Sequence, residues 1–262
     1  MHLVDSHCHI DAAEFDGDRV DVVGRALAAG VRAIVVPAVA AAGWPKLRDV
    51  CAETSGLLPA YGLHPIALSV HRPEHLQLLR DWVERERPVA IGECGLDFFI
   101  RELDAEAQHA YFEGQLQLAR DFDLPVIVHA RRAVEAVIVA IRRVGGLRGV
   151  VHSFAGSHEQ ARQLWDAGFM IGLGGPVTYE RANRLRRLAS SMPLEFLLLE
   201  TDAPDQPDAE HRGRRNEPAN LVSVARTIAT LRGAKVQDIA TATAANAGRL
   251  FGERVNALSA TA

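Results

Sequence analysis

The sequence has very little lysine, few cysteines and no long apolar run, and each shortage narrows what the protein can be. Its three cysteines, Cys8, Cys51 and Cys94, are odd in number, widely spaced and without a CxxC pair. They support neither a disulfide framework nor a zinc ribbon, and a reducing compartment suits them. No apolar stretch approaches the roughly 18 residues of a membrane helix. The segment Met1-His2-Leu3-Val4-Asp5 lacks the basic start and apolar core of a secretory signal. The expected location is therefore cytoplasmic, with no membrane partner. Of 29 basic residues only Lys46 and Lys235 are lysine, a bias that reads as coding composition rather than phosphate recognition. The formal charge of -4 gives no global attraction to nucleic acid, so a phosphate would have to be held by local clusters or bound metal. Low-complexity tracts, short repeats and Pro/Gly/Ser linkers are absent as well.

What is present is a balance of 48% hydrophobic and 24% charged residues over 262 positions, the composition of a globular protein. That length suits one α/β barrel of roughly 250 residues, so residues 1–262 are read as a single domain. Short apolar runs alternate with stretches of helical periodicity from end to end. Eight runs read as strands: Leu3 to His7, Ala33 to Pro37, Leu58 to Gly62, Val89 to Glu93, Val126 to His129, Val150 to His152, Phe169 to Gly172 and Phe196 to Thr201. Amphipathic stretches such as Ala105 to Phe122 and Leu221 to Leu231 lie between or after them. Eight strand–helix units predict a (β/α)8 TIM barrel. The competing doubly wound sheet usually has fewer strands and often a glycine-rich first turn, which is missing here. A C-terminal helix from Val236 to Phe251 is expected to pack across the outside or to close one end; its Asn246 has no assigned role.

In such a barrel the chemistry sits where the strands end. Those ends carry His7-Cys8-His9, Glu93, His129, His152 and Glu200-Thr201-Asp202. Two residues apart on extended chain, His7 and His9 aim their imidazoles to one side and turn Cys8 to the other as a packing residue. Alone, His129 or His152 reads as a satisfied structural histidine. Together with His7, His9 and the carboxylates Glu93 and Asp202 beyond strongly apolar strands, they make six donors, enough for two divalent cations, with one carboxylate able to bridge and positions left for water. Hydrolysis is the natural reaction class. The cation's identity stays open among Mg²⁺, Mn²⁺ and Zn²⁺, although four imidazoles are an unusual set for Mg²⁺.

The motifs Asp5-Ser6-His7-Cys8-His9, Gly62-Leu63-His64-Pro65, Gly92-Glu93-Cys94-Gly95-Leu96-Asp97, His129-Ala130-Arg131, His152-Ser153-Phe154 and Glu200-Thr201-Asp202-Ala203-Pro204 resemble the signatures of the TatD family of deoxyribonucleases, in order and over nearly the whole chain. The resemblance implies one metal on His7, His9, Glu93 and Asp202, another on Glu93, His129 and His152, and DNA as the substrate, attacked in an exonuclease-like way. It also implies Asp202 as general base, a pure ligand role being its alternative. His64 and Arg131 are expected to face an incoming phosphate, Arg131 otherwise being a solvated ion pair. Asp5 and Glu200 share the inward faces of His7 and Asp202, and at least one is expected to accept an imidazole N–H behind the metal. Arg215 and Asn216 fit a substrate loop or a structural role equally. Phe98, Phe99, Phe154 and Tyr179 are candidate stacking residues near the mouth. Asp97 and the histidines His2, His71, His75, His109, His158 and His211 read as surface or packing. The alternatives to a nuclease are a metal-dependent hydrolase of a small ester, lactone or amide, and a non-catalytic metal-binding barrel.

Overall fold

Strands covered on both faces can be apolar at nearly every position, which is why these runs read as continuous Val, Ile, Leu and Ala rather than alternating with polar residues. In the computed structural model, which describes residues 1–260, they assemble in the order β1 (Leu3–Asp5), α1 (Arg19–Ala29), β2 (Val31–Pro37), α2 (Trp44–Glu53), β3 (Leu57–Tyr61), α3 (Glu74–Glu86), β4 (Ala90–Asp97) and α4 (Ala105–Asp121). There follow β5 (Val126–Arg131), α5 (Val134–Val144), β6 (Gly149–Val151), α6 (His158–Asp166), β7 (Phe169–Leu173), α7 (Asn183–Ser191), β8 (Leu197–Leu199), α8 (Leu221–Arg232), α9 (Val236–Phe251) and α10 (Glu253–Ala260). Neighbouring strands pair in parallel from β1 through β8. Beyond the regular ladder the first and last strands meet through Ser6 N–H to Leu199 O at 3.0 Å and Asp202 N–H to His7 O at 2.9 Å. The eight-stranded (β/α)8 barrel follows, as the apolar pattern predicts.

Inside the barrel, the second or third residues of the strands form one apolar cluster, among them Val4, Ala33, Leu58, Ile127, Val150 and Leu198. Leu250 and Phe251 of α9 and Val255 of α10 belong to the same cluster. The C-terminal helices therefore close the N-terminal end of the barrel, settling the choice that the sequence leaves open. Asn246 has a role there: its Nδ2 donates to Leu194 O at 2.8 Å and Leu197 O at 2.9 Å, tying α9 to the entry of β8. α10 is an element that the apolar pattern does not announce.

Apart from β2 every strand ends one to four residues from its expected end, and two of these differences matter most at the mouth. β1 stops at Asp5, because His7-Cys8-His9 leaves the ladder to meet the segment after β8, with His9 N–H donating to Ala203 O at 2.8 Å. β4 continues past Glu93 to Asp97, where Gly95, Leu96 and Asp97 pair with His129, Ala130 and Arg131. Glycine makes that close passage possible. A Cβ on Gly95, whose φ is 141, would sit 2.9 Å from His129 N, and one on Gly62 would sit 2.6 Å from Gly92 C.

Candidate metal centre

Six strand ends deliver side chains to one point at the C-terminal mouth. The buried Glu93 carboxylate stands at its centre. Its Oε2 lies 3.1 Å from His7 Nε2 and 3.4 Å from His9 Nε2. Its Oε1 lies 2.7 Å from His152 Nε2, 3.1 Å from His129 Nδ1 and 2.9 Å from His64 Nε2. Asp202 Oδ1 adds a second carboxylate 3.4 Å from His7 Nε2 and 3.8 Å from His9 Nε2. Cys8 turns away into the core, its Sγ against Ala203 O at 3.7 Å, as the alternation predicts.

The donor chemistry fits divalent cations. His9 Nδ1 faces Pro37 O at 3.1 Å and His129 Nε2 faces Asp97 Oδ2 at 3.0 Å, contacts that place the N–H on those atoms. In the neutral rings the lone pairs then fall on His9 Nε2 and His129 Nδ1, which point at other imidazole nitrogens: His7 Nε2 at 3.2 Å and His152 Nε2 at 3.3 Å. Glu93 Oε2 is buried without a hydrogen-bond donor. Lone pairs gathered in this way need positive charge between them. Burial opposes charging His9 and His152, yet the Glu93 carboxylate beside them outweighs it and draws protons on, raising them to about 9 and about 10. His7, dominated by burial and by neighbouring His152, falls to about 4. Divalent cations compete for the same lone pairs. The ligand atoms of His7, His9 and Asp202 lie within 4.8 Å of one another, as do those of His7, Glu93 and His152. So do those of His64, Glu93 and His129. His64, however, accepts the Ile66 N–H on Nδ1 at 2.9 Å, which leaves its proton on Nε2 and makes it a donor to Glu93 rather than a metal ligand.

Several supporting side chains differ from what the sequence suggests. Asp97 is a correction: it is neither surface nor packing but a buried carboxylate that orients His129. The apolar strand was expected to end at Glu93, and nothing local shows that it runs four residues further. Asp5 accepts no imidazole N–H. Its Oδ1 takes His7 N–H at 3.2 Å and Thr201 N–H at 3.0 Å, and its Oδ2 takes the Thr201 hydroxyl at 2.6 Å, so it ties the ends of β1 and β8 together. Glu200 accepts the Ser153 N–H, and its Oε1 lies 3.9 Å from His152 Nδ1, beyond hydrogen-bond reach. Burial pushes the Glu200 carboxyl up to about 8. Gln206, which sequence reasoning missed, donates to Asp202 Oδ2 and is itself held by Ser153 Oγ at 2.8 Å.

His64 is buried on Glu93 instead of being turned outward, while Arg131 is exposed at the rim, where its guanidinium lies 3.7 Å over the Phe99 ring instead of in an ion pair. Arg215 and Asn216 both make contacts within the fold. Arg215 pairs with Asp18 at 2.6 Å, and Asn216 Nδ2 donates to Thr201 O and Asp205 O, both at 2.9 Å. Of the four aromatics Phe154 is buried, Phe98 and Tyr179 are half-buried, with Tyr179 donating to Pro207 O, and Phe99 is the most exposed.

With this geometry in hand, likeness to known proteins is informative. The family described as TatD related DNase matches residues 4–252. The chain is 39% identical over 252 residues to the uncharacterised metal-dependent hydrolase YjjV of Escherichia coli K12, covering 95% of this chain and 97% of that protein. The crystal structure of YjjV superposes with a TM-score of 0.92 at 38% identity, over 95% of this chain and 97% of that one. The 3'-5' ssDNA/RNA exonuclease TatD of Klebsiella pneumoniae is 34% identical over 263 residues, covering 97% of this chain and 99% of that protein. The chain belongs to the TatD family.

Proposed function

We propose that this protein is a divalent-metal-dependent phosphodiesterase that degrades DNA from an end. It would hold two cations, one on His7, His9, Glu93 and Asp202 and one on Glu93, His129 and His152. The observation that carries this reading is Glu93, whose two oxygens face separate pairs of imidazole nitrogens, as a bridging carboxylate requires. Cations bound there supply an acidified water and an electrophile for the phosphoryl oxygens. The imidazole-rich donor set favours Zn²⁺ or Mn²⁺ over Mg²⁺.

The chain's own groups do the rest. Glu93 is 1% exposed and Asp202 13% exposed, so Asp202 is the carboxylate with a path to solvent. With Oδ2 fixed by Gln206, its Oδ1 takes the proton from the attacking water and returns it, directly or through solvent, to the leaving sugar oxygen as the scissile P–O bond breaks. The buried rings of His7 and His152 stack 3.9 Å apart, which fixes the orientation of both imidazoles. His64 holds the Glu93 oxygen through its Nε2–H, and Arg131 offers a guanidinium to the substrate phosphate at the rim. The name of the Klebsiella relative supports DNA as the substrate class. No helix among the described residues is long and apolar enough to cross a membrane.

The test is hydrolysis of end-labelled single- and double-stranded DNA, beside a panel of small esters and lactones, by metal-stripped protein reconstituted with Mg²⁺, Mn²⁺ or Zn²⁺. Metal-restored release of short products from DNA ends is expected. Ester or lactone turnover without DNA cleavage would replace the nuclease by a small-molecule hydrolase.

A further inference from the structure

We propose that Phe99, with Arg131 and Arg132, forms a subsite that stacks an unpaired base and holds its neighbouring phosphate, so that the enzyme selects single-stranded ends. This rests on the nuclease reading and adds to it where the strand lies. Phe99 is 45% exposed, the only aromatic among the large exposed hydrophobic side chains of the described residues. Two arginines converge on it: the Arg131 Cζ lies 3.7 Å and the Arg132 Cζ 4.8 Å from its ring centroid. Consecutive residues of an extended strand point to opposite sides. Here the left-handed backbone of Arg132, at φ 56, breaks that alternation and turns both guanidinium groups to one ring.

Neither guanidinium has a carboxylate partner among the described residues, unlike Arg25, Arg80, Arg162 and Arg215, each of which has one. Two cations without a carboxylate partner, one of them stacked on a ring that is still 45% exposed, make a local site for a ligand that is both anionic and flat, in a chain of net charge -4. A nucleotide with an unstacked base has that chemistry. A paired base inside a duplex does not offer its face.

The subsite is also rigidly coupled to the metal centre. Asp97 Oδ2 holds His129, while its Oδ1 accepts the N–H groups of Phe99 at 2.9 Å and Ile100 at 3.2 Å. Phe98 N–H donates to Arg131 O at 2.9 Å, locking the two strand ends side by side. Arg131 lies two residues beyond His129 on β5, about 7 Å at the strand rise, so one strand can reach both places at once.

The experiment uses reconstituted holoenzyme, wild type and Phe99→Ala, on single-stranded oligonucleotides that carry either normal or abasic nucleotides at the labelled end. Loss of one base–aromatic stack corresponds to roughly a 5- to 150-fold rise in KM on the base-bearing substrate. Phe99→Ala is expected to show that rise and to erase the wild-type preference for base-bearing over abasic ends, and Phe99→Trp to retain both. Arg131→Ala/Arg132→Ala is expected to flatten the log–log salt dependence of KM by about 0.7 for each phosphate that is no longer neutralised. A Phe99→Ala enzyme that keeps the wild-type KM and the base preference overturns the subsite while leaving the nuclease standing. A wild-type enzyme that hydrolyses small esters but no DNA overturns both.

Discussion

At the N-terminal end of the barrel, Val4, Ala33, Leu58 and Leu198 meet Leu250, Phe251 and Val255 in an apolar plug. At the C-terminal end the same strands deliver His7, His9, His64, His129 and His152 around Glu93 and Asp202. The plug gains free energy from every group it removes from water, whereas the mouth is costly to bury without cations. Stability and chemistry are thus placed at opposite ends of one set of strands, as in barrel enzymes generally. Substitutions should separate the two.

The largest expected effect is at the mouth. Glu93→Ala should lower metal-dependent hydrolysis by several kcal/mol in the barrier, on the order of 10³-fold. It should also abolish the rise in denaturant midpoint that added metal gives the wild type, since a ligand stabilises only the state that binds it. A Glu93→Ala protein whose midpoint rises with metal as the wild type's does would break the comparison. The plug should behave in the opposite way. Phe251→Ala should cost about 3–5 kcal/mol in chemical denaturation and leave metal affinity as it was; weakened metal binding would show the two ends to be coupled.

Smaller changes sharpen the picture. Asp97→Asn should lower metal affinity about 10- to 100-fold in a calorimetric titration, because His129 loses the carboxylate that fixes its tautomer. An unchanged affinity would return Asp97 to a purely structural role. Asn246→Ala should cost about 1–2 kcal/mol of stability, since it strips a donor from Leu194 O and Leu197 O beneath β8, and hydrolysis by the folded protein should not change.

All eight strands were legible because parallel strands buried on both faces leave unmistakable apolar runs, and the cluster of imidazoles and carboxylates was legible because each member follows such a run. Exact strand ends were not. Whether β4 stops at Glu93 or continues to Asp97 depends on its pairing with His129 to Arg131, a long-range register that no local pattern records. Asp97 therefore looked like any surface acid. Gln206 was hidden for a similar reason, since its contact with Asp202 exists only through the path of the loop after β8. Asp5 was read as inward-facing, yet its neighbour Val4 fills the barrel interior and Asp5 itself meets the backbone and hydroxyl of Thr201 between β1 and β8, a pairing that the strand pattern does not record. Arg131 was expected at the rim and lies there; that it rests on Phe99 comes from the adjacency of two strand ends.

Everything proposed for the mouth depends on Glu93 bridging two cations. Counting bound metal per chain by elemental analysis, on Zn²⁺- or Mn²⁺-reconstituted wild type and Glu93→Ala and with hydrolysis measured on the same samples, tests that bridge most directly. Two equivalents in active wild type, with loss of bound metal and activity together in Glu93→Ala, is the predicted result. Full activity at one equivalent, or two equivalents retained by Glu93→Ala, would contradict it.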